Sequence, residues 1–249
     1  GSLMFRLSGA GASNSVIEAI DVSNNTNSAI YCSNVSNCRF DNIYARHSYK
    51  GIQFIGNNST DTIINCDFGD ANTNVNSRGI DLTSGSNQNF FIKNNLLDSC
   101  YTGLYYNYGT PDSIVGNDFT SCFNAMWFSN GNAVAGIRFD PQGTPGGENM
   151  NTFSDIRDYV FSFNGCRGIH IENWDFTTLF SAAGTETKTP VQCSNVNYSY
   201  FGDNNIRNFY RGMYFASNNT NDTIVNSDLG SANTNVNSRG IDLTSGSNQ

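Results

Sequence analysis

The chain has 249 residues, enough to bury a core as one large domain or one continuous solenoid. Only 14% of them are charged and the formal net charge is −8. Nucleic acid is therefore not an expected partner, because neutralising phosphates requires clustered Lys and Arg. No apolar run approaches the roughly 20 residues that cross a bilayer, so no membrane span is expected.

Asparagine, serine, threonine and glycine take the place of charge, with 39 asparagines alone. A polar, weakly charged surface of this kind points to an extracellular, cell-surface or virion setting. Seven cysteines, an odd number without a CxxC, read as buried thiols rather than as disulfides or a zinc site.

In chain order, one four-residue pattern keeps returning: a small residue, an apolar one, an outward one, an apolar one. It appears as Ala29-Ile30-Tyr31-Cys32, Gly51-Ile52-Gln53-Phe54, Gly79-Ile80-Asp81-Leu82, Gly103-Leu104-Tyr105-Tyr106 and Ala125-Met126-Trp127-Phe128. It resumes as Pro190-Val191-Gln192-Cys193, Gly212-Met213-Tyr214-Phe215 and Gly240-Ile241-Asp242-Leu243. Alternation with period two predicts half-buried strands, not helices. Steps of 22 to 28 residues separate the regular instances. Between them runs a second strand, apolar-x-x-small-x-Phe/Leu, as in Ile63 to Phe68, Ile92 to Leu97 and Ile114 to Phe119. Cys100, Cys122 and Ile156 lie three residues or so beyond and are expected to face inward. The stretches around 129–150 and 177–189 break the rhythm and are expected to project as loops, leaving six or seven coils per long repeat.

That long repeat is explicit. Residues 30–88 align without a gap on 191–249, an offset of 161, with 35 of 59 pairs identical. The second copy stops where the first runs on into Asn89-Phe90-Phe91, so the repeat is expected to continue in a longer parent, with neighbouring repeats as partners. Repetition at fixed spacing predicts stacked units.

Coils of about 22–28 residues with short parallel strands predict an all-β fold, a single right-handed parallel β-helix continuous over 1–249. The GI-x-h strand starts and the rhythm of IKNNLLDSCYTGL and IVGNDFTSCFNAM resemble the pectin-lyase-like β-helix superfamily. The resemblance covers essentially the whole chain and implies a fold that hosts lyases, hydrolases, epimerases, tailspikes and adhesins.

The residue between the two apolar ones in each strand start defines an external row: Tyr31, Gln53, Asp81, Tyr105, Trp127, Phe161, Gln192, Tyr214 and Asp242. Aromatic rings interleaved with amides and carboxylates suit sugars, so Tyr31, Gln53, Asp81, Tyr105, Trp127, Phe161 and Tyr214 are the candidate glycan contacts. Lys50, Arg78, Arg211 and Arg239 edge the same sheet and are candidates for contacting acidic glycans. For catalysis the best local pair is Asp81 with Arg78. Hydrolases of this superfamily carry NTD, DD, GHG and RIK motifs; here stand STD (Ser59 to Asp61), no DD, GIH (Gly168 to His170) and FIK (Phe91 to Lys93). The DPH signature of alginate-type epimerases is matched only by Asp140-Pro141-Gln142. Asp70, Asn72 and Asn74 mimic calcium-loop spacing, but Val75 replaces the required Gly and Asp70 becomes Ser231 in the second copy. No metal or cofactor is expected.

The resulting expectation is a structural, adhesive segment of a large surface repeat protein facing a polysaccharide or cell-surface glycan. A polysaccharide-active lyase, hydrolase or epimerase is the alternative, and a phage tailspike body the third reading.

Overall fold

A computed structural model describes residues 5–69, 77–129, 138–139, 151–176, 188–207, 209–230 and 239–244. Over these residues the chain is an all-β parallel solenoid without an α-helix, and Ala10–Ala12 is a 3₁₀ turn. Ten parallel strands make one long sheet: Phe5–Ser8, Ser28–Ser33, Lys50–Ile55, Arg78–Ser84, Thr102–Asn107, Asn124–Ser129, Tyr159–Asn164, Val191–Ser194, Arg211–Ala216 and Arg239–Thr244. The second face is built from Val16–Glu18, Arg39–Asp41, Thr62–Ile64, Phe91–Lys93 and Ser113–Val115, and then from Arg138–Phe139, His170–Glu172, Tyr200–Gly202 and Thr223–Val225. Leu96–Asp98, Asp118–Thr120 and Thr152–Ser154 form a third, shorter sheet.

The long sheet takes six steps, through strands starting at 28, 50, 78, 102, 124, 159 and 191, to cover one 161-residue period. The coil count is therefore six. Part of the expected loop 129–150 is a strand: Arg138–Phe139 pairs in parallel with His170 and Ile171. Phe139 is buried, with ring contacts to Phe128, Phe161 and Phe163.

Parallel in-register pairing stacks like positions about 4.8 Å apart. One lumen column runs Ile30, Ile52, Ile80, Leu104, Met126, Phe161, Val191, Met213 and Ile241. The column beside it contains Phe54, Leu82, Tyr106, Phe128 and Phe163, in which the rings of Phe128 and Phe163 stack at 5.5 Å. All seven cysteines are free and buried, and burial pushes the Cys66 and Cys166 thiols up to about 12. A thiol so seldom ionised is an apolar filler, not a nucleophile.

The asparagines have two structural uses. Of 22 non-glycine residues with positive φ among the described residues, twelve are Asn. They sit at the corners, where a short polar side chain tolerates the left-handed conformation. Others line the lumen as a ladder. Asn95 Nδ2 donates to Asn117 Oδ1 and Asn117 Nδ2 to Asn151 Oδ1, both at 2.9 Å. The three side-chain amides also donate to the carbonyls of Ile63, Ile92 and Ile114 in the preceding coils. Each amide oxygen in turn accepts a backbone N–H from the coil before, those of Cys66, Asn95 and Asn117. Asn117→Ala orphans groups on both sides of its coil, each costing about 1–3 kcal/mol. A urea titration should show a clear drop in midpoint, whereas the same change at the exposed corner Asn94 should leave it nearly unchanged.

Two carboxyls punctuate the same frame, one per repeat copy. Asp61 Oδ1 accepts the N–H of Cys38 at 2.7 Å, and Asp222 Oδ1 accepts that of Ser199 at 2.9 Å. Their Oδ2 atoms are buried without a partner. Burial raises Asp61 to about 7 and Asp222 to about 6. The folded state thus holds protons that the unfolded chain releases near 3.8. This contribution is full below that value and is lost as pH rises through 6 to 7. Thermal melts should fall in midpoint from pH 5 to pH 8. Asp61→Asn should flatten the slope between pH 5 and 6 by roughly 1.4 kcal/mol per pH unit; an unchanged slope would contradict a protonated Asp61.

Candidate functional site

The long sheet brings the predicted outward residues into one row. Arg6, Tyr31, Gln53, Asp81, Tyr105, Trp127, Ser162, Gln192, Tyr214 and Asp242 are successive register partners. Phe161 does not belong to the row. It is fully buried in the lumen and Ser162 takes the outward place beside Trp127. The phase of Tyr159–Asn164 is ambiguous in sequence because Val160, Phe161 and Phe163 are all apolar, and pairing with Met126 and Phe128 decides it.

Outward does not mean open. Gln53, Asp81, Ser162 and Asp242 all point off the tube and all are buried. Asp81 is the centre of an inter-coil cluster. Its Oδ2 lies 2.5 Å from Lys50 Nζ and its Oδ1 2.7 Å from Arg78 Nη1. Ser28 Oγ donates to Gln53 Oε1 at 2.7 Å, and Gln53 Nε2 donates to Asp81 Oδ2 at 3.4 Å. The Arg78 guanidinium then lies 3.7 Å over the Tyr105 ring, which meets Trp127 edge-on at 6.1 Å. The second copy rebuilds the two ion pairs of this cluster. Asp242 pairs with Arg211 Nε at 2.6 Å and with Arg239, while Arg211 lies 4.4 Å over Tyr214.

These contacts revise two expectations. Arg78 with Asp81 is not a poised acid–base pair, because the carboxylate is occluded and clamped by two cations. Lys50, Arg78, Arg211 and Arg239 are spent on aspartates of their own chain, which removes the reason for preferring an acidic glycan. The calcium candidates Asp70, Asn72 and Asn74 lie outside the described residues. Among the described residues no group of three or more His, Cys, Asp or Glu is placed to hold a metal, and no helix is long and apolar enough to cross a membrane.

Two features of the row escaped the sequence reading. Trp127 Nε1 and Asn124 Oδ1 are both buried without a hydrogen-bond partner. They are three residues apart on one strand, at the register positions of Asp81 and Arg78 two coils earlier. A donor and an acceptor thus stand unused where other coils carry an ion pair. At the entrance of the next strand, burial raises Asp158 to about 6, with Lys188 opposing, and raises the Tyr159 phenol to about 12. A shallow groove of about 330 Å³ at the turn after the long sheet is lined by Gly85, Ser86, Tyr108 and Gly109 and holds no titratable group but the phenol.

Comparison with protein-family models, with curated proteins and with solved structures gives no significant match to this chain.

Removing the carboxylate of Asp81 leaves Lys50 and Arg78, both largely buried, without a counter-charge. Asp81→Ala should cost about 3–5 kcal/mol in denaturant titrations. Asp242→Ala should cost distinctly less, since the Arg239 side chain is 55% exposed and can turn to water.

Proposed function

We propose that the chain is a structural and adhesive segment of a surface-displayed repeat β-solenoid related to the pectin-lyase-like superfamily, holding an aromatic face toward a glycan. The observation that carries this reading is what the two repeat copies keep and what they change. They keep the ionic and amide ties of the frame, most of them between coils. Arg46–Asp67 returns as Arg207–Asp228, and Lys50 and Arg78 on Asp81 return as Arg211 and Arg239 on Asp242. Asn58, which accepts the N–H of Val35, returns as Asn219 on Val196. They change the outer surface: Tyr31 becomes Gln192, Gln53 becomes Tyr214, Tyr44 becomes Asn205, and the Arg39–Asp41 pair becomes Tyr200 and Gly202. A frame preserved under a varied exterior suits a spacer that gains reach and multivalent contact with each copy.

The glycan part of the reading is supported by the Tyr105–Trp127 pair. Amphipathic, partly exposed rings offer a face to sugar C–H groups. An extracellular, cell-surface or virion location follows as part of the same proposal.

A polysaccharide-active enzyme is the second reading, favoured by Asp158 and Tyr159 at one strand entrance. Incubation with a polysaccharide panel separates the two. The adhesive reading expects retention on a polysaccharide in native affinity electrophoresis, weakened about tenfold by Trp127→Ala, and no release of reducing or unsaturated ends. Turnover that disappears in Asp158→Asn would replace it with the enzyme.

A further inference from the structure

The outer face of the second sheet carries, in the second repeat copy, an aromatic surface that the first copy lacks. In the first copy the positions are filled by Arg39 and Asp41, joined at 2.6 Å. In the second copy they are Tyr200 and Gly202. A Cβ on Gly202 would lie 2.4 Å from Tyr200 Cε1 and 2.5 Å from its Oη. The Tyr200 ring therefore lies down along its own strand, over the space that a glycine alone leaves open.

The neighbouring coil extends and fixes this surface. The His170 ring is 4.5 Å from the Tyr200 ring at a tilt of 43°, and His170 Nε2 lies 2.8 Å from Glu172 Oε2. At the preceding corner the Arg167 guanidinium lies 4.6 Å over Tyr198, a ring that is 57% exposed. Arg167 is exposed and makes no ion pair among the described residues. Two ring contacts, Arg167 over Tyr198 and His170 tilted against Tyr200, thus stand side by side across the same two coils.

We propose that Tyr200 and Tyr198, flanked by His170, Glu172 and Arg167, form a binding platform for a neutral polysaccharide. The site is separate from the Tyr105–Trp127 face on the long sheet and does not depend on it. A partly exposed ring lying along its strand offers its outer side to the C–H face of a pyranose. The guanidinium, imidazole, carboxylate and phenol around it supply donors and acceptors for ring hydroxyls. The ligand is neutral because Glu172 stands in the platform and the chain as a whole carries −8, which disfavours a polyanion. The first repeat copy, with an ion pair in the same place, is a built-in negative control.

Native affinity electrophoresis tests this with soluble xylan, glucomannan or mixed-linkage β-glucan in the gel, and polygalacturonate for comparison. The wild-type chain should be retarded by at least one neutral polysaccharide. Tyr200→Ala should weaken that retardation about tenfold. Gly202→Ala, which keeps the ring but lifts it from the sheet, should weaken it several-fold, and Arg39→Ala in the first copy should leave it unchanged. Matched thermal melts establish that the variants are folded, and Gly202→Ala carries the test where Tyr200→Ala is not. Loss of retardation in Tyr200→Ala or Gly202→Ala supports the platform whatever Trp127→Ala does. The platform is overturned by no retardation on any neutral polysaccharide, by retardation on polygalacturonate alone, or by retardation that both platform variants retain. Retardation lost only in Trp127→Ala would leave the long-sheet reading standing and remove this one.

Discussion

No coil of this chain can satisfy its own backbone or bury its own apolar side chains. Each coil is a short turn of extended strand, and its N–H and C=O groups are paired mainly by the coil above and the coil below. In-register parallel stacking is thus the constraint from which the rest follows. It places Ile52 on Ile30 and Ile80 on Ile52, so that residues 22 or 28 positions apart in sequence are nearest neighbours in space. It also leaves many buried polar groups to be answered from an adjacent coil, as in the Asn95–Asn117–Asn151 ladder.

That requirement accounts for the unusual composition. Asparagine serves both at corners, where φ is positive, and in the lumen, where one amide can accept from the coil before and donate to the coil after. The chain Asn95, Asn117, Asn151 satisfies all its members. Charge is used in the same manner. Lys50 and Arg211 are tied to Asp81 and Asp242 across coils, while Arg78 and Arg239 reach the same carboxylates along the strand, so that a chain with only 14% charged residues still carries ion pairs at equivalent positions of both copies. Asp61 and Asp222 are exceptions, carboxyls whose second oxygen has no answering group and which burial therefore holds toward the neutral form.

The fold was legible because period-two alternation at a repeated spacing states both which side chains face inward and which coil lies next. Ile80, Leu104, Cys100 and Cys122 are all buried as that pattern requires. Its failures are local and have causes. Phe161 was assigned outward because three apolar residues in Val160–Phe163 leave the phase open until the neighbouring coil is known. Phe139 closes Gly136-Ile137-Arg138-Phe139, which has the strand-start pattern, but it falls in a stretch where the regular spacing is lost, so the spacing did not mark it as a strand of the core. For Asp81 the alternation gave the right face, but a polar residue between two apolar ones does not say what covers it. The platform is legible in part by the same alternation: His170 alternates with Ile169 and Ile171, and Tyr200 with Ser199 and Phe201, which sets both rings on the outer face of one sheet.

The proposed roles, a spacer frame and two aromatic surfaces, all rest on the same sorting of side chains between lumen and exterior. Methyl NOE spectroscopy on protein labelled at Ile, Leu, Val and Met measures that sorting directly. The account predicts an unbroken chain of contacts from Ile30 to Ile52, Ile80, Leu104 and Met126, each residue touching the next and none touching the one after. Absence of contact between Ile52 and Ile80, or contacts that pair these residues in an antiparallel order, would contradict it.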